Sequence, residues 1–110
     1  METKGDFKKA SVLKLGALIA YSDGGIVSRQ VIKGDGGNIT LFSFAKGQEL
    51  SEHTAPFDAL VQVLEGRAEI TIAGNPLALG PGDYVIMPAG VPHALKAREN
   101  FKMLLTMLRA

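Results

Sequence analysis

From Ile26 onward the chain is built of short runs in which apolar and polar positions alternate. The run IVSRQVIK (26–33) sets Ile26, Ser28, Gln30 and Ile32 against Val27, Arg29 and Val31, which is the period-two pattern of a strand. NITLFSFA (38–45) puts Ile39, Leu41 and Ser43 on one face and Thr40, Phe42 and Phe44 on the other. Both faces are largely apolar, so cover on both sides is expected. DALVQVLE (58–65), RAEITIAG (67–74), PLAL (76–79), DYVIMP (83–88) and PHALKA (92–97) continue the series, and FKMLLTMLR (101–109) ends it. In that last run Phe101, Met103, Leu105 and Met107 share one face, while Leu104 and Leu108 join Lys102 and Thr106 on the other.

Glycine and proline punctuate these runs. Ser22-Asp23-Gly24-Gly25, Lys33 to Gly37 and Gly80-Pro81-Gly82 read as turns, and Asn75-Pro76 opens a further short segment. Glu65-Gly66 reads as a hairpin turn between its two flanking strands, or as a bulge with glycine in the left-handed region. Ahead of the strands, residues 1–10 are polar, carry no motif and are expected to be loose at the terminus. In SVLKLGALIAY (11–21) Val12, Leu15, Leu18 and Ile19 recur at roughly helical spacing, predicting one short helix or an irregular edge strand. The expected organisation is an N-terminal extension over residues 1–24 and one all-β domain over 25–110. Seven to nine short strands with no helical period after residue 22 indicate a closed barrel or sandwich.

Composition narrows the function classes. A chain of 110 residues holds one domain with one hydrophobic core. A formal net charge of +1 supplies no basic field for phosphate contacts, so nucleic acid is not an expected partner. No run approaches the roughly 18 apolar residues of a membrane-spanning helix, and METKGDFKKA lacks the apolar centre of a signal peptide. Neither a membrane nor secretion is expected, which leaves the cytoplasm. The absence of cysteine excludes disulfides, thiolate metal sites and a Cys nucleophile.

Both histidines of the chain, His53 and His93, fall between Gly47 and Ala97, one in each of two strand blocks. The first block starts at Gly47, places His53 six residues on and ends at Gly66; the second starts at Gly82 and continues through Pro88, Gly90 and His93. In spacing and residue type these blocks resemble the two motifs of the cupin family, and the resemblance spans about residues 25–108. It implies a double-stranded β-helix, or jelly-roll barrel, of the RmlC-like kind, with a metal held inside by three His and one Glu. The chain departs from that set. The family's second His is Ala55 here, its Glu is Ala59 and its closing Asn is Ala97. Only His53 and His93 remain, an incomplete shell for zinc or iron, which normally receive at least three protein ligands. Asp58 is the nearest carboxylate, but its parity points it outward unless Pro56 introduces a bulge.

Two classes of function follow. One is a small-molecule binding module with a roomier, apolar interior, in which His53, His93, Ala55, Ala59 and Met87 line the ligand site and the imidazoles orient the ligand. The other, implied by the resemblance, is a metal-dependent oxygenase or isomerase with one divalent ion (Zn, Fe, Mn or Ni) on His53 and His93. A metal-free variant would use a histidine as general acid or base. Met87, Met103 and Met107 read as core filler, and Pro88, Gly90 and Pro92 as turn formers. The apolar outer faces of NITLFSFA and FKMLLTMLR predict a homodimer that covers them; small cupins commonly pair in this way.

Overall fold

In the computed structural model, which describes residues 7–109, the alternating runs form β1 (Ile26–Gly34), β2 (Gly37–Phe44), β3 (Glu49–His53), β4 (Asp58–Glu65), β5 (Ala68–Ile72), β6 (Asn75–Leu79), β7 (Tyr84–Met87), β8 (His93–Ala97) and β9 (Phe101–Leu108). The polar run at residues 1–6 lies outside the described residues. One sheet has the order β1-β2-β9-β4-β7 and the other β3-β8-β5-β6, with antiparallel pairing throughout. The two sheets face each other as a jelly roll. Alternation along each strand sends one set of side chains between them. Val61, Val63, Ile70, Met103 and Leu95 meet there, and Phe44 stacks on Phe101 with ring centroids 4.6 Å apart.

Glu65-Gly66 is not a hairpin turn. Strand β4 pairs with β7 and β9, whereas β5 pairs with β6 and β8, so the chain crosses from one sheet to the other at this corner. The alternative reading fits: pairing of β4 with β9 slips between Val63 and Glu65, and Gly66 adopts φ +81°. A side chain here would collide with the Asn100 carbonyl oxygen and the Phe101 Cα. The actual hairpin of this region lies further on, where Ala73 (φ 51°) and Gly74 (φ 82°) join β5 to β6. Positive φ at both central residues matches the strand twist in a two-residue turn.

The segment before the barrel forms a single 3-10 turn, Leu15–Leu18, and then runs extended as a strap across the outer face of the five-stranded sheet. Its helical spacing does not produce a longer helix because its carbonyls are engaged elsewhere. Lys102 Nζ donates to Gly16 O (2.7 Å), Arg29 Nη1 to Leu18 O (2.6 Å) and Ser43 Oγ to Ala20 O (2.8 Å). Of the four apolar positions in the segment only Ile19 is buried, and Val12 is fully exposed. Lys102 also lies 3.7 Å from Glu65 and over the Tyr21 ring, while the Tyr21 hydroxyl donates to Glu65 (2.6 Å). Burial and the Glu65 carboxylate push the Tyr21 phenol well above its usual range.

The strap covers only part of that face. Beyond it, a straight row crosses all five strands through the partners Ile32, Ile39, Thr106, Leu60 and Ile86. Around this row Ile32, Tyr84, Ile86 and Leu108 are 54, 63, 52 and 60% exposed. The two-sided apolar pattern of β2 and β9 thus has a core on one side, and on the other a strap beside open surface.

Gly66→Ala is expected to cost about 3 kcal/mol or more in urea unfolding, because strain from positive φ adds to an overlap with backbone that has no room to move. A loss below about 1 kcal/mol would mean that the corner relaxes freely.

Candidate functional site

Strands β3 and β8 carry the two histidines side by side. Their pairing runs Glu49 with Lys96 and Leu50 with Leu95, then His53 with His93. Between the last two pairs β3 advances three residues while β8 advances two, which is a β-bulge. In a regular strand Leu50 and His53, an odd number of residues apart, would face opposite sides. With the bulge, Leu50, Leu95, His53 and His93 all border one interior cavity.

Ala55, Ala59 and Met87 border it as well, so the five residues singled out for ligand binding converge there. The remaining walls are Phe42, Met103, Leu105 and Met107. The alanines had predicted a roomier interior. Instead the methionine and phenylalanine side chains fill the space, leaving about 70 Å³, far below the roughly 300–1,000 Å³ of pockets that hold drug-sized ligands. Parity would have revealed these additional wall residues: Phe42 sits on the Phe44 face of β2, and Met103, Leu105 and Met107 on the Phe101 face of β9.

The imidazole rings stand 4.4 Å apart between centroids and at 70° to each other. His93 is buried, whereas His53 is exposed at the mouth. Each Nδ1 is tied to the carbonyl two residues earlier, His53 to Ser51 O (2.8 Å) and His93 to Val91 O (3.2 Å). A carbonyl only accepts, so in the neutral ring Nδ1 carries the proton and Nε2 presents a lone pair. Burial lowers the His93 pKa from 6.5; the Val91 carbonyl works against this shift and His53 adds to it.

The donors do not fit the metal shell that the resemblance implies. Among the described residues no third His, Cys, Asp or Glu joins the pair. Pro56 does not bring Asp58 inward: its Oδ1 accepts the Ala89 N–H (2.9 Å), and it pairs with Leu108 on the outer parity of the sheet. Ala97, where the closing Asn would stand, is buried. Pro88, Gly90 and Pro92 shape the β7–β8 turn, with Gly90 N–H donating to Ala55 O (2.8 Å) and Ala73 N–H to Pro92 O (2.9 Å).

Two packed sheets with a histidine-bearing interior define a small jelly-roll barrel with a narrow cavity between them. The family profile of the cupin domain matches residues 40–108, and the chain belongs to that family. Its structure is similar to that of a conserved protein of unknown function from Streptococcus pyogenes, with 38% identity and a TM-score of 0.90 over 100% of this chain and 96% of the other. A cupin superfamily protein from Desulfitobacterium hafniense matches over 100% of both chains at 32% identity and a TM-score of 0.89. Dimethylsulfoniopropionate lyase DddQ from Ruegeria pomeroyi is 38% identical over 58 residues, which is 52% of this chain. The chain spans only 29% of that lyase's length. No helix among the described residues is long and apolar enough to cross a membrane.

The lowered His93 pKa has a defined consequence for stability. Unfolded His93 takes a proton near pH 6.5, and the folded protein takes it only at lower pH. Stability is therefore full above about pH 6.5 and declines as the pH falls below that value. The urea midpoint is expected to drop between about pH 7 and pH 5, and His93→Gln is expected to flatten this decline. An equal decline in the variant would assign it to other groups.

Proposed function

We propose that this barrel binds a compact small molecule between its sheets, with the protic group of the ligand donating to Nε2 of one of the two imidazoles, His93 or His53. The observation that carries the reading is the backbone hold on both rings: each Nδ1 is held by a backbone carbonyl, which leaves Nε2 as the acceptor on two rings that line an otherwise apolar cavity. A hydroxyl or carboxylic acid on a small apolar body suits that arrangement, and the size of the cavity excludes bulkier ligands. A metal-dependent oxygenase or isomerase finds less support, because among the described residues no third His, Cys, Asp or Glu joins the two imidazoles at the cavity. The stretch shared with the Ruegeria lyase is too small a part of that protein to carry its activity across.

The test is a titration of metal-free protein with phenol, short alcohols and short carboxylic acids, followed by NMR of the methionine methyl groups and histidine rings. Protic ligands are expected to move the Met87, Met103 and His93 signals. They are also expected to bind roughly tenfold more tightly than their methyl ethers or esters, the worth of one net hydrogen bond. Interior signals that stay in place at millimolar ligand would reject the reading.

We infer as well that two copies pair through the uncovered part of the five-stranded sheet. The row Ile32, Ile39, Thr106, Leu60 and Ile86 carries no charge and runs edge to edge. A two-fold axis would therefore set apolar residues of one copy against the same residues of the other. Light scattering at micromolar protein is expected to give twice the chain mass, and Ile86→Glu half of that. A monomer mass for the unaltered protein would refute the pairing.

A further inference from the structure

Three of the chain's four methionines, Met87, Met103 and Met107, line the same cavity as both of its histidines. Their placement follows from register. Ala59 on β4 has Met87 of β7 as its partner on one side and Met107 of β9 on the other. Neighbouring strands lie about 4.8 Å apart, so the two methionine backbones are roughly 10 Å apart with a single methyl group between them. Both side chains reach the cavity that Ala59 leaves open, and Met87 is only 3% exposed. The imidazoles come from the opposite sheet, each with its Nε2 lone pair free of any hydrogen bond to the described residues. Methionine side chains from one sheet and imidazole rings from the other thus border one space of about 70 Å³, enough for a single ion.

We propose that this cavity is a site for a soft monovalent cation, Cu(I) in the first instance, held by His53 and His93 Nε2 and by the sulfurs of Met87 and Met107. The donor set decides the choice of ion. Zinc, iron, manganese and nickel call for further nitrogen or oxygen donors, which the described residues do not bring to the pair. Thioethers are poor ligands for those ions and good ones for Cu(I). Neutral donors in an apolar setting leave the ion with its single charge, a smaller burden on burial than a divalent ion would be. As mere filler, methionine accounts for Met103 on the cavity wall; it does not account for two methionines flanking an alanine in a cavity that both histidines also line. The site uses the same cavity as the organic ligand proposed above but does not depend on that ligand.

The experiment is an anaerobic Cu(I) titration of metal-free protein against bicinchoninate, repeated with Ag(I) as a redox-inert stand-in and with Zn(II) for contrast. Methionine methyl NMR is recorded throughout. One equivalent of Cu(I) or Ag(I) per chain is expected to be retained against the competitor and to shift the Met87 and Met107 methyl signals, with Zn(II) leaving them in place. Met87→Leu and Met107→Leu preserve side-chain volume, and each is expected to weaken Cu(I) at least tenfold, as is His93→Gln. The proposal is overturned if bicinchoninate strips all the Cu(I), or if both leucine variants bind as tightly as the unaltered protein. Should a variant fail to fold, the methyl shifts of the unaltered protein decide alone. Protic organic ligands are titrated into the metal-free protein in a separate run, so either reading can fail while the other stands.

Discussion

The interior of this barrel depends on one slipped residue in β3. Because Leu50 and His53 are three apart while their partners Leu95 and His93 are two apart, both members of each pair turn inward. A regular strand would send one of them to solvent and separate the imidazoles. The slip also explains why the two rings differ. His93 sits in a regular stretch of β8 and is buried, whereas His53 lies at the end of the bulged strand and stays at the mouth. One ring is therefore shielded and the other is open to whatever enters.

Losing side chains at Ala55 and Ala59 did not simply enlarge the interior. Close packing favours filling, and the flexible side chains on either side of Ala59 take up most of the volume that a longer residue would have occupied. What changes is the chemistry of the walls. Where the cupin resemblance implies a carboxylate, this chain brings thioethers; where it implies a further imidazole, it brings a methyl group. The cavity keeps two nitrogen donors and loses its anionic one, so the hard oxygen character of the site is gone while its position between the sheets is retained.

Much of this was legible in the sequence. Period-two alternation located the strands of β1, β2, β4 and β9, and the blocks around His53 and His93 identified the family and the two residues that meet. The Glu65-Gly66 corner misled because a glycine between two strands looks the same whether the strands pair or part. Only long-range pairing tells the two apart, and local turn chemistry carries no trace of it. The segment around Leu15–Leu18 was ambiguous for a related reason: its conformation is set by Lys102, Arg29 and Ser43, side chains distant in sequence that draw its carbonyls away from a helix. Cavity volume was illegible because it depends on how Met87, Met103 and Met107 fold into the space, which residue type alone does not determine.

The cavity and the outer surface are two sides of the same backbone. Ile86 precedes Met87, Leu60 follows Ala59 and Thr106 precedes Met107, so the row that crosses the outer face lies directly behind the row Met87, Ala59 and Met107 that lines the cavity. Alternation makes this unavoidable in a single sheet. Anything that packs on the outer row restrains the strands β7, β4 and β9 and so steadies Met87, Ala59 and Met107 relative to the opposite sheet. The strap cannot do this, because its contacts at Arg29, Ser43 and Lys102 lie further along the strands. Covering the uncovered row and ordering the cavity wall are therefore one mechanical problem, and a second copy seated on that row would address both at once.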